Sequence, residues 1–174
     1  MRIITTHLGA DFDALGSAMG MRLLVPDARL VFPGSQEVAV RRFLEAERIA
    51  LPEVRVRELR RSTIELAVVV DCSSFRRLGE VGELIAASGC PVEVVDHHQD
   101  PVDLIPSASV LTADVAATCT VVTRELQRHR VEPDVLTASL LLLGVYEDTG
   151  GLTYVDTTAA VSYTHLTLPT IYSV

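Results

Sequence analysis

Residues 64–70 and 91–95 are short, nearly continuous apolar runs, and each stops at a carboxylate, Asp71 after the first and Asp96 after the second. Runs of this length, rich in Val, fit strands buried on both faces, as in a parallel sheet covered by helices. The neighbouring segments agree. Residues 1–6 form another apolar run, followed by His7 and a Gly9-Ala10 turn, and residues 29–32 form a further one closed by Pro33-Gly34. From Asp11 to Leu24, Ala14, Leu15, Ala18, Met19 and Leu23 recur at helical spacing. Helices are also predicted over 36–49, 75–87, 114–129 (with Thr112 as N-cap) and 133–147. The last has Pro133 in its first turn and Gly150-Gly151 just past its end. Residues 54–59 read as an exposed strand, interrupted by Arg55, Arg57 and Glu58. Strands alternating with helices predict an α/β fold, a parallel sheet of about five strands with helices on both faces.

A chain of 174 residues is expected to form one domain. Its net charge is −8 and all 15 basic residues are Arg, which disfavours sequence-independent binding of duplex DNA. No apolar run approaches the roughly 20 residues that span a bilayer, and no signal peptide is evident, so no membrane association and a cytoplasmic location are expected. Cys72, Cys90 and Cys119 show no paired spacing and read as reduced, structural residues. From Val161 the chain resembles a translated sequencing-library adapter. Residues 161–174, His165 among them, are therefore set apart as a non-native tail, and residues 1–160 are taken as the domain. The native chain is expected to continue beyond Ala160.

In a parallel sheet, ligands gather outside the carboxyl ends of the strands. Residues able to bind metal stand at several of those ends here. His7, Asp11 and Asp13 share the turn after the first run; Asp11 could equally be a helix cap. Asp71 could be a solvated strand end, but its burial would require a partner or a metal. Asp96-His97-His98 places three such residues directly after a strand. Glu147 and Asp148 end an apolar helix, where the negative pole of the helix dipole disfavours acids unless a cation compensates. Imidazole mixed with carboxylate suits Mn²⁺, Fe²⁺, Co²⁺ or Zn²⁺.

The order His-x3-Asp-x-Asp, strand-end Asp, Asp-His-His and Asp-Thr-Gly resembles the DHH phosphoesterase superfamily over about residues 1–158. The Ala10-Asp-Phe-Asp-Ala14 and Tyr146-Glu-Asp-Thr-Gly150 wordings are similar to DHH modules fused to CBS and tRNA-nucleotidyltransferase-like domains. The first motif departs from the family at Gly9 and Ala10, neither of which is a ligand position.

The resemblance implies a two-metal hydrolase. His7, Asp11 and Asp71 would hold one divalent ion, and Asp13, Asp71, His97 and Asp148 the other, with Asp71 bridging. Mn²⁺ is the expected metal, with Mg²⁺, Co²⁺ or Fe²⁺ as alternatives. His98 and Asp96 are the expected catalytic pair, His98 facing the substrate phosphate and Asp96 orienting a histidine; Thr149 and Gly150 are expected beside the substrate. The implied substrate is a small phosphodiester, such as a short single-stranded oligonucleotide or cyclic dinucleotide. Manganese-dependent pyrophosphatase-like activity and an RNA-handling module of a larger tRNA-nucleotidyltransferase-like protein are the alternatives. A C-terminal partner domain, either CBS/nucleotidyltransferase or one closing over the substrate, is expected outside this chain.

Overall fold

The computed structural model describes residues 1–98, 104–106 and 108–154. The adapter-like tail and His165 lie outside these. The elements follow in the order β1 (Arg2–Thr5), α1 (Phe12–Leu24), β2 (Arg29–Val31), α2 (Val38–Ala46), α3 (Val56–Leu59), β3 (Leu66–Val70), a 3-10 turn at Phe75–Leu78, α4 (Gly79–Ser88), β4 (Val92–Val95), β5 (Ser109–Leu111), α5 (Thr118–His129) and α6 (Val135–Asp148). All five strands are parallel, in the order β2-β1-β3-β4-β5. The chain leaves β1 toward one edge and returns to pair β3 on its other side. That makes the carboxyl ends of β1 and β3 the switch point, where a crevice opens in such sheets.

The alternation of strand side chains builds two cores. Ile4, Val68 and Val70 point to one face and pack under α1, α5 and α6. Ile3, Ala67, Val69 and Val94 point to the other and pack against the 3-10 turn and α4, with Leu59 of α3 joining them. Helix α1 is sealed between the sheet and α5/α6, with every residue from Asp13 to Met21 buried. Among the described residues, no helix is long and apolar enough to cross a membrane.

Three sequence expectations are corrected. Residues 54–59 are not a strand. Only Glu53 bridges to Leu30, and Val56–Leu59 turns into a short helix that buries Leu59. The fifth strand is instead Ser109–Leu111, whose fully exposed pattern carries no burial signal. Helix α5 begins at Thr118 rather than near residue 114, and its N-cap is Ala117, not Thr112. Ala117 offers no capping side chain, so the first N–H groups of α5 must find acceptors elsewhere.

The approach of α1 to α6 depends on glycine. A Cβ on Gly144 would lie 2.6 Å from Cys119 Sγ and 2.7 Å from Asp13 Cα, and one on Gly16 would lie 2.6 Å from Leu140 O. Such contacts force backbone to move. Gly144→Ala is expected to lower stability by about 1–3 kcal/mol despite the better helix propensity of Ala. Urea denaturation would check this; an unchanged midpoint would mean that the two helices are not in the described contact.

Candidate metal centre

Strand ends and helix starts bring the chemistry together. Asp71 directly follows β3 and is 3% exposed, with φ at +54°. That left-handed conformation costs a non-glycine residue of order 1 kcal/mol, though Asp tolerates it better than most. The turn leaves the two carboxylate oxygens facing different neighbours. Oδ2 lies 3.2 Å from His7 Nε2, whereas Oδ1 accepts the Thr118 hydroxyl at 3.0 Å and lies 3.7 Å from His97 Nε2.

On the Oδ2 side, His7 Nε2 is also 3.9 Å from Asp11 Oδ2. Asp11 does cap α1, but with its other oxygen, Oδ1, which accepts the Ala14 N–H at 2.9 Å. Capping therefore leaves the second oxygen of Asp11 on the His7 side. On the Oδ1 side, His97 Nε2 lies 3.3 Å from Asp148 Oδ2, and Asp13 joins them. Donor atoms of His7, Asp11 and Asp71 fall within 4.8 Å of one another, as do those of Asp13, His97 and Asp148, and those of Asp71, His97 and His98.

The imidazoles are set for ligation. His7 Nδ1 is 3.0 Å from Leu8 O, and His97 Nδ1 is 3.2 Å from Val115 O. A carbonyl only accepts, so each Nδ1 carries a proton, and Nε2 is the nitrogen that would bind a cation once its own proton is released. The four acids Asp11, Asp13, Asp71 and Asp148 crowd around them. Burial, followed by the charges of Asp71 and Asp11, pushes Asp148 up to about 7. Burial and the charges of Asp71 and Asp148 hold the Asp13 carboxyl well above its usual range. Burial by itself would lower His7, but its bonds to Asp71 and Leu8 and the nearby charges raise it. Acids crowded around two imidazole nitrogens form a donor set that fits divalent cations of borderline softness.

The remaining predicted residues divide. His98 Nδ1 bonds Asp96 Oδ1 at 2.6 Å, which raises the imidazole above its ordinary value. Burial would raise Asp96, but the bond to His98 outweighs it and lowers its carboxyl. The histidine that Asp96 orients is therefore His98. Glu147 needs no cation, because its carboxylate accepts the Phe12 N–H at 2.9 Å at the start of α1. Thr149 is fully buried, and its hydroxyl donates to Val145 O at 2.7 Å and accepts the Leu152 N–H at 2.9 Å. It closes α6 and has no free hydroxyl for the substrate contact expected of it. Gly150 is a backbone device, with φ at +55° beneath the Tyr154 ring.

Sequence reasoning missed three roles. Asp13 is the missing cap of α5: its oxygens accept the Thr118 and Cys119 N–H groups, both at 2.7 Å, across 105 and 106 residues. Thr118 also fixes Asp71 through its hydroxyl. Arg77 lies near enough to His98 for its charge to oppose protonation of the imidazole. Only the small, polar wording Thr118-Cys119-Thr120 at a helix start hinted at the first two.

The sequence pattern described as the DHH family, N-terminal domain, matches residues 2–145. The chain is 41% identical over 160 residues to an A-adding tRNA nucleotidyltransferase of Geobacter sulfurreducens, covering 91% of this chain and 18% of that protein. It is 31% identical over 157 residues to the Aquifex aeolicus protein of the same name, covering 90% of this chain and again 18% of the relative. The chain thus spans about a fifth of the length of these relatives (18%). In fold it is similar to an exopolyphosphatase-related protein from Bacteroides fragilis, with a TM-score of 0.75 at 20% identity over 94% of this chain and 50% of that one. A putative family II inorganic pyrophosphatase from Methanococcus jannaschii gives 0.73 at 19% identity over 95% and 54%. Exonuclease RecJ, in a structure described as bound to manganese, gives 0.51 at 18% over 95% and 43%.

The titrations set a pH dependence for the metal-free protein. An acid whose pKa rises from 3.8 to about 7 on folding favours the folded state most while both states keep the proton. That contribution fades as pH climbs from about 4 to about 7, and the raised imidazoles of His7 and His98 fade in the same sense above 6.5. Metal-free protein should therefore lose about 1–4 kcal/mol from this cluster between pH 5 and 8. Asp148→Asn should flatten the slope, and saturating Mn²⁺ should reverse it, because ligation needs the deprotonated groups. Urea midpoints at three pH values would check this; equal slopes in parent and Asp148→Asn would refute it.

Proposed function

Because this chain belongs to the DHH family, its N-terminal domain occupying residues 2–145, we propose that it is the catalytic half of a two-metal phosphoesterase that hydrolyses a phosphodiester of a short oligonucleotide or cyclic dinucleotide. The observation that carries this reading is the split carboxylate of Asp71, with one oxygen toward His7 and the other toward His97. His7, Asp11 and Asp71 would hold one ion; Asp13, His97 and Asp148, with Asp71 shared, would hold the other. Once bound, the ions would supply Lewis acidity and lower the pKa of a water to near neutrality, so that no Ser or Cys nucleophile is needed. The mixed imidazole and carboxylate donors favour Mn²⁺ over Mg²⁺, and the fold relative RecJ is described with manganese.

The protein's own groups do the positioning. Asp96 holds the His98 ring by Nδ1 and raises its pKa, which favours the cation whose Nε2–H would donate to a phosphoryl oxygen. Thr118 fixes the Asp71 rotamer, and the N-terminus of α5 steadies the negative charge of Asp13.

A second reading rests on the 41% identity to an A-adding tRNA nucleotidyltransferase. Here the domain would serve as an RNA-handling module within a longer protein, acting on or holding an RNA end. The two readings share one site and differ in turnover. With Mn²⁺ and bis(p-nitrophenyl) phosphate, the parent should release nitrophenol. Asp71→Asn should reduce this at least 10³-fold, and His98→Ala about 10²-fold at unchanged metal content. Equal rates for parent and Asp71→Asn would sink the catalytic assignment. Faster cleavage of pyrophosphate than of any diester would move the substrate to phosphoanhydrides.

A further inference from the structure

The metal centre lies beyond β1, β3 and β4, and it occupies only one side of the loop that follows β1. On the other side, beyond the ends of β1 and β2, the surface opens into a groove of about 880 Å³. Leu8 and Gly9, from the same loop as His7 and Asp11, form one wall; Val38, Arg41 and Arg42 of α2 form another. The two walls are tied together, because Glu37 N–H donates to Ala10 O at 2.9 Å. Any ligand filling both the groove and the metal centre would be continuous across one short loop.

The lining is specific in its chemistry. Leu8 is 50% exposed and Val38 is 53% exposed, so two aliphatic side chains face water where burial would favour stability. Leu8 is not there by default. Its side chain packs over Gly34 and Gly79, where a Cβ would come within 2.9 and 3.2 Å of it, and its N–H is held by Arg77 O at 2.8 Å. Arg41 and Arg42 are exposed, and among the described residues neither guanidinium makes a hydrogen bond or ion pair. Glu37 is the single acid in the lining, and it lies toward Glu147, whose carboxyl it helps to raise. An apolar contact next to two guanidinium groups matches a base or sugar joined to a phosphate.

We infer that this groove is a second subsite, which takes the neighbouring nucleoside and its phosphate when the scissile ester lies at the metal centre. The inference rests on the phosphoesterase reading and assigns the place of the second nucleotide of such a substrate. Leu8 and Val38 contact the base or sugar, and Arg41 and Arg42 hold the phosphate.

The test uses the full chain with Mn²⁺ and two probes, a 5′-phosphorylated thymidine dinucleotide with a phosphorothioate linkage, and inorganic phosphate. Arg41→Gln/Arg42→Gln should weaken dinucleotide binding at least tenfold by calorimetry. It should also make the salt dependence shallower by about 0.7 for each phosphate that the arginines no longer neutralise. Affinity for inorganic phosphate should change less than twofold. Val38→Asp, at an exposed position that does not threaten folding, should weaken the dinucleotide in the same selective way. Equal dinucleotide affinity in parent and both variants would overturn the inference, as would parallel losses for the two probes or no binding by the parent. A parent that binds the dinucleotide through these arginines yet cleaves no phosphodiester would instead refute the hydrolase reading and leave the groove standing.

Discussion

Like charges confined in one small volume govern this structure. Asp11, Asp13, Asp71 and Asp148 come from three separate stretches and meet around the Nε2 atoms of two histidines. Without compensation such a cluster opposes folding, and the upward pressure on Asp13 and Asp148 is the measure of that opposition. Two kinds of positive character relieve it from within the chain: the N-terminus of α5 directed at Asp13, and the raised proton affinity of His7 beside Asp71. Divalent cations would relieve it further, so binding and stability are linked through the same atoms.

The close helix packing serves this same point. Gly16 and Gly144 let α1 and α6 approach until Asp13 lies against the last turns of α6, with Cys119 Sγ filling the gap. Asp13 then reaches the first N–H groups of α5, a helix whose own sequence begins with a residue that cannot cap it. One carboxylate thereby caps the start of a helix, joins three helices and stands in the candidate metal centre. Its burial is tolerated because both oxygens already accept hydrogen bonds.

The outer parts of the rim follow a different logic. His98 is half exposed and its ring is held by the bond to Asp96, which suits a group that meets a ligand from solvent. Leu8 and the arginines of α2 face outward on the other side of the loop after β1, giving the crevice an apolar and cationic margin next to an acidic centre. That contrast explains how a chain of net charge −8 could attract an anionic ligand: the attraction is local to the margin and to any bound cations.

Much of this was legible in the linear order of residues. Val-rich runs ending at Asp71 and Asp96 declared buried parallel strands, and the placement of acids and imidazoles after them declared a rim, because side chains just past a strand have only the crevice to enter. Local chemistry misled where burial was absent or supplied from afar. The exposed β5 left no hydrophobic trace, and residues 54–59 turned into a helix to bury Leu59. Thr149 looked like part of the site but was drawn inward to close α6. Tertiary structure decided the rest. It gave Glu147 to a neighbouring helix while leaving Asp148 in the cluster, made Asp13 the cap of α5, and turned the two oxygens of Asp71 to opposite sides. Those outcomes depend on groups more than a hundred residues apart, or on one unusual φ angle, and no periodicity along the chain records either.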